Sequence, residues 1–257
     1  MLRALSPPSS ARRTVMRPPR LLLREYAVKD LIRGWPVGRF LEVGYGAGYM
    51  LETLAKLGHQ GVGYDPSPEA RTAAESLLAK AGIGSVKLVA ELPERETFDY
   101  VFLLEVIGYL PDPVAELRRL RALLAPGGRL VLSFNGPNAD YAHEVQADQR
   151  RFEVSAMRRM LEQAGLRELT LWNYGFPLVN VMRPGLNAYH RTRARFRSEA
   201  PTRTEVTGLR HEVPLVRAVS TVLNERTLVP FAWLQRRFRS TRLGNGFVVA
   251  CSADSSG

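Results

Sequence analysis

The chain has 257 residues, 45% of them hydrophobic and 24% charged, with a formal net charge of +11. That length suits one α/β domain with a full core, and the composition is that of an ordinary globular protein. The single cysteine, Cys251, excludes a disulfide framework and a cysteine metal cluster, and no apolar run nears the roughly 18 residues of a spanning helix.

Residues 1–24 hold six arginines and no acid, and residues 176–242 hold thirteen arginines against four glutamates. The excess charge therefore sits in a tail and one late segment, and the body between them is slightly acidic. A solvated basic surface and an anionic partner both fit that distribution. Pro7, Pro8, Pro18 and Pro19 make residues 1–24 a basic tail without helix, and the stretch lacks the apolar core of a secretory signal. A reducing, cytoplasmic setting is expected.

From residue 25 helical and strand patterns alternate. Residues 25–33 read as a short helix and 39–43 (RFLEV) as a buried strand. A glycine turn follows, then a helix over 47–57 with Met50, Leu51, Leu54 and Leu57 at helical spacing. Residues 61–64 are strand, and Ser67 with Pro68 starts a helix to Lys80. Strands over 86–90 and 99–104, a helix over 113–124, a strand over 129–134, a helix over 155–164 and strands over 166–172 and 246–251 complete the series. Strands separated by helices of this length mean crossover units and a parallel sheet covered on both faces. Ligands in such sheets bind beyond the carboxyl ends of the strands, where strand order reverses.

The turn itself is FLEVGYGAGYM, residues 40–50. A dinucleotide fingerprint from Gly44 needs glycine at 49, where Tyr49 stands, and no Gly-Lys-Ser/Thr follows for a phosphate loop. The pattern is instead E-x-G-x-G-x-G. Asp65 follows the second strand in GVGYDPSPEA, 21 residues past Gly44. A carboxylate there can accept two hydrogen bonds from a ribose diol.

With FDYVFLLEVIGYL and LRALLAPGGRLVLSFN, these stretches form four motifs in order that resemble the class I S-adenosylmethionine-dependent methyltransferases. The resemblance covers about residues 35–175 and returns at 243–251. It implies a Rossmann-like, doubly wound seven-stranded sheet, mostly parallel with an antiparallel last strand. The methyltransferase domain is expected over 25–175 and 243–252, with residues 176–242 as a helical cap inserted between the last two strands. It implies S-adenosyl-L-methionine as cofactor, with no metal. Glu42 would support the turn and reach the methionine amino group, with Gly44, Gly46 and Gly48 against the methionine part. Asp65 would bind the ribose, Pro66 and Ser67 would lie beside the adenine, and Ala90, Glu91 and Leu92 along it. Glu105 would face the methyl-donor region. The chain departs from the family at Tyr45, where smaller residues are usual and the pocket is expected to change shape. The acid that usually follows the third strand in the family must here be Glu91 or be absent, and Gly108-Tyr109 replaces a Glu-His pair.

The expected reaction is methyl transfer to a small-molecule or lipid-like acceptor, at oxygen, by in-line displacement. His143 is the candidate base, with a loop histidine as the plain alternative, and Tyr109, Asn135 and Tyr141 are candidate acceptor-orienting groups. His59 is placed at the opposite edge of the sheet. Residues 176–242 read as a cap with possible peripheral membrane contact, or as a helical pair packed on the sheet edge. Nucleic acid is not expected as a partner, because no recognition element is visible. Two other readings stand beside this one: a membrane-associated lipid or quinone methyltransferase, and a non-catalytic, cofactor-binding member of the fold.

Overall fold

A computed structural model describes residues 19–137, 149–194, 222 and 224–253. The elements in chain order are α1 (Pro19–Leu31), β1 (Arg39–Val43), α2 (Tyr49–Lys56), β2 (Gln60–Tyr64), α3 (Pro68–Lys80), β3 (Val86–Val89) and β4 (Phe98–Leu104). They continue with α4 (Pro113–Ala122), β5 (Leu124–Asn135), α5 (Val154–Gln163), β6 (Leu166–Tyr174), α6 (Leu178–Ala194), α7 (Glu225–Gln235) and β7 (Gly246–Ala253). Local chemistry starts two of the helices. Ser67 Oγ accepts from Ala70 N at 3.2 Å ahead of Pro68, and Asp112 Oδ1 accepts from Ala115 N at 3.0 Å ahead of Pro113.

The strands form one seven-stranded sheet in the order β3-β2-β1-β4-β5-β7-β6. Pairing is parallel from β3 through β5, and β7 runs antiparallel to both β5 and β6. This is the expected doubly wound architecture, and the order reverses between β1 and β4. The two-residue period of the strands splits the core in two. Leu41, Val101, Leu103, Leu130 and Leu132 pack on one face, and Phe40, Tyr100, Phe102 and Val131 on the other.

Among the boundaries that differ from the sequence reading, two change how the chain is divided. Helix α1 begins at Pro19, so residues 19–24 belong to the folded domain and not to a tail. Proline is well placed at a first helical position, where its missing N–H costs nothing. Strand β5 begins at Leu124, opposite Phe98, bulges through the Pro126–Gly128 stretch and resumes at Arg129 opposite Tyr100.

Helices α6 and α7 lie between β6 and β7, and their described parts dock on α1. Leu23, Val179 and Ala232 form a small third cluster. Asp30 of α1 pairs with Arg236 at 2.7 Å and with Arg239, whose guanidinium lies 4.0 Å over the Trp172 ring. Gln235 is buried and bridges the layers. Its Oε1 accepts from Gly175 N at 2.9 Å and its Nε2 donates to Leu23 O at 3.1 Å. Gln235→Leu keeps the volume but leaves two buried backbone groups unpaired. It is expected to lower unfolding stability by about 2–3 kcal/mol in a urea titration.

Candidate functional site

The β1 strand delivers the chain to the switch point with one acid among apolar neighbours. Glu42 is 2% exposed, and its Oε2 has no hydrogen-bond partner. Burial drives its carboxyl group up to about 8, Arg24 opposes the shift, and the Asp65 and Glu25 charges add to it.

The three glycines then do different work. Gly44 donates to Tyr64 O at 2.7 Å, and a side chain there would collide with Val106 Cγ2 at 2.4 Å, so the β1 and β4 ends abut. At Gly48 a Cβ would lie 2.8 Å from that of Ala74, so this glycine lets α2 and α3 approach. Gly46 faces open space, with nothing within 4 Å of where a Cβ would stand, at a left-handed φ of +55°. Its N–H donates to Asp65 Oδ2 at 2.9 Å, while Asp65 Oδ1 accepts from Ser67 N at 3.0 Å. The Asp65 carboxylate thus ties the β1 turn to the β2 turn, and each oxygen keeps a second lone pair. The Tyr45 ring turns inward, and a methyl group on Gly63 would lie 2.8 Å from its Cδ1. The bulk that departs from the family pattern goes into the core.

Beside Asp65 a cleft of ≈ 520 Å³ is lined by Tyr64, Ala90, Glu91, Leu92, Glu94, Arg95 and Arg119. Ala90 and Glu91 border it at the surface, Leu92 is buried beneath, and Pro66 is exposed at the turn.

The far side of the switch point is closed by a network that the sequence reading missed. Glu105 follows β4 with a left-handed φ of 63°. Its Oε2 accepts from Arg20 at 2.7 Å, its Oε1 accepts from Tyr174 Oη at 2.6 Å, and Arg24 stands 3.5 Å away. Burial alone would raise the Glu105 carboxyl group. The Arg20 and Arg24 charges, with hydrogen bonds from Tyr174 and Arg20, override it and hold the group at about 2. Arg20 also donates to Asn135 and, at 3.0 Å, to Tyr174. Asn135 donates to Gln149 at 2.7 Å, and Gln149 donates to the Glu105 carbonyl at 3.1 Å. Burial pushes the Tyr174 phenol well above its usual 10, so it remains a donor.

The network explains the Gly108-Tyr109 departure. A Cβ on Gly108 would meet Arg150 O and Gln149 Cγ at 2.7 Å, so the returning chain leaves room only for glycine. Tyr109 sits half-buried in the 3-10 turn Ile107–Tyr109, beside this crossing. Of the other candidates, Asn135 is in the network. His59 lies at the amino-terminal end of the sheet, its Nδ1 3.2 Å from Gly38 N and its ring edge-on to Tyr100. His143 and Tyr141 lie outside the described residues. Tyr174 was accessible in principle, since it closes β6 as Glu105 and Asn135 close β4 and β5. Arg20 and Arg24, four residues apart, share a helix face, but only the fold shows what that face meets.

The two carboxylates give opposite pH dependences. Glu42 is raised, so its contribution to stability is whole below pH 4.5 and is lost as pH rises through about 8. Glu105 is lowered, so its contribution is present above pH 4.5 and is lost as pH falls toward about 2. The ligand-free protein should therefore lose a few kcal/mol between mildly acidic and alkaline pH, and Glu42→Gln should flatten that limb while leaving the acid limb intact. Denaturant midpoints measured from pH 3 to pH 9 (about six steps) check both.

Among solved structures, the fold is similar to an S-adenosylmethionine-dependent methyltransferase from Clostridium acetobutylicum, with a TM-score of 0.55 and 9% identity over 91% of this chain and 92% of that one. It is also similar to the cyclase SpnF, with a TM-score of 0.58 and 16% identity over 89% of this chain and 80% of that one. Among curated proteins, the ubiquinone biosynthesis O-methyltransferase of Bradyrhizobium sp. (strain ORS 278) is 40% identical over 99 residues, 37% of this chain and 39% of that protein. That of Xanthomonas axonopodis pv. citri is 36% identical over 104 residues, 38% of this chain and 44% of that protein. The chain thus spans about two fifths of the length of these relatives. A methyltransferase-domain model matches residues 12–181, well over half of the chain. The chain belongs to the methyltransferase-domain family, among the class I S-adenosylmethionine-dependent methyltransferases.

Proposed function

We propose that this protein transfers a methyl group from S-adenosylmethionine to a hydroxyl of a small, quinone-like acceptor. The observation that carries the reading is the turn in which Asp65 holds the Gly46 amide beside an open position, next to a buried acid with an unpartnered oxygen. These features fit the cofactor. Glu42 Oε2 can accept from an ammonium group, the Gly44–Gly46–Gly48 turn leaves room for a chain, and Asp65 has lone pairs for a ribose diol. Ala90, Glu91 and Leu92 line a cleft suited to a flat base, and Pro66 is exposed at the turn after β2. Tyr45 contributes backbone to the turn. The O-methyltransferase names of the two curated relatives support oxygen as the methylated atom.

Bound there, the cofactor supplies a methyl group already activated on a sulfonium. The chain's own residues then have to align the acceptor and keep water out. Glu105, held by Arg20 and Tyr174, forms a rigid wall at the methyl-donor end. Tyr109 and Asn135 stand at that rim as orienting groups. His143 is assigned to accept the acceptor proton, and lies outside the described residues. The domain is assigned to residues 19–175 and 243–253, with the insertion covering the acceptor. No helix among the described residues is long and apolar enough to cross a membrane, and a cytoplasmic setting is part of the proposal.

Calorimetric titration with S-adenosylmethionine and S-adenosylhomocysteine tests the cofactor half. Asp65→Ala is expected to weaken binding by about 1.5–3 kcal/mol, more than tenfold. Release of S-adenosylhomocysteine in the presence of catechol-type acceptors tests the reaction. Tight binding without turnover across such acceptors would favour a cofactor-binding member that does not methylate, and a folded protein that binds neither compound would overturn the whole reading.

A further inference from the structure

Helix α7 is apolar on two opposite faces. Leu228, Ala232 and Gln235 are buried against α1 and the β6 end. At 100° per residue, Val229, Pro230 and Trp233 project away from these, with Arg226 before them, and the exposed Arg237 follows in the 3-10 turn Arg236–Phe238. Val229 is 51% exposed and Trp233 60%. The arginines from Arg226 to Arg239 divide into two sets. Arg236 and Arg239 are engaged with Asp30, whereas Arg226 and Arg237 are exposed and pair with no acid among the described residues. The outer stripe therefore reads arginine, valine-proline, tryptophan, arginine, with no carboxylate on it.

We propose that this face of α7 docks the protein on an anionic lipid surface. Three considerations select that occupant. A second copy meeting the same face across a two-fold axis would set arginine against arginine, in a chain of net charge +11. A stable protein partner needs roughly 1,000 Å² of buried surface, and one tryptophan supplies about 150–250 Å². A bilayer makes no such demand. A tryptophan ring settles at the headgroup level, and flanking arginines reach lipid phosphates while their stems stay apolar. Helix α7 adjoins the site through its inner face, where Gln235 holds the Gly175 amide and the preceding Tyr174 holds Glu105.

This inference does not rest on methyl transfer, because docking is measured without cofactor or acceptor. The full chain is sedimented with phosphatidylglycerol vesicles and, separately, with phosphatidylcholine vesicles. Binding is expected to the anionic vesicles, to weaken as sodium chloride is raised, and to shift tryptophan emission to the blue. Trp233→Ser, and the pair Arg226→Gln with Arg237→Gln, are each expected to lower the partition coefficient about tenfold. Neither touches the core, so the circular dichroism spectrum and melting temperature should stay as in the wild type. Three outcomes would overturn the proposal: no binding to anionic vesicles, undiminished binding by both variants, or a concentration-dependent dimer that Trp233→Ser abolishes.

Discussion

A carboxylate at the end of β4 sets the position of elements far from it in sequence. Glu105 is mostly shielded from water, on left-handed backbone that non-glycine residues rarely adopt. An isolated buried charge is very costly, and here Arg20 and Arg24 neutralise it while Tyr174 completes its hydrogen bonds. Both arginines come from α1, so the pairing pins α1 across the carboxyl ends of β4, β5 and β6. Helix α1 is in turn the platform for α7, through Gln235 and through Asp30 with its arginines. The placement of the described part of the insertion thus follows from the neutralisation of one acid.

The site contains a second acid with the opposite fate. Glu42 is more deeply buried than Glu105, but it has no pair of guanidiniums and keeps one oxygen without a partner. Burial wins there, and the group stays protonated near neutral pH. Two carboxyl groups on neighbouring strands are therefore held in different protonation states by different surroundings. One is a settled part of the wall, and the other is available to a cationic group that arrives beside it.

The family match covers residues 12–181, which carry the glycine turn and Asp65. The same fold is found in a cyclase as well as in methyltransferases, so the chemistry depends on the residues grafted at the rim and not on the sheet. In this chain the rim beside the switch point is built from α1, from the segment crossing Gly108 and from the end of β6.

What could be read from the sequence alone is what short-range physics controls. Apolar runs, the capping pair Ser67-Pro68 and the glycine turn define the strands, the helices and the cofactor half, because each signal is complete within a few residues. The structure joins the E-x-G-x-G-x-G turn to Asp65 through the Gly46 N–H, which donates to Asp65 Oδ2. Tertiary structure alone decided three things. It drew residues 19–24 into the domain, because the helix they form buries Leu22 and Leu23 and delivers Arg20 to Glu105. It turned Tyr45 inward, because β2 offers a glycine-shaped space at Gly63. It joined Arg20, Asn135, Gln149 and Tyr174 into one network, although up to 154 positions separate two of them in the chain. Each of these outcomes depends on which distant partner meets a side chain, and no local pattern records that.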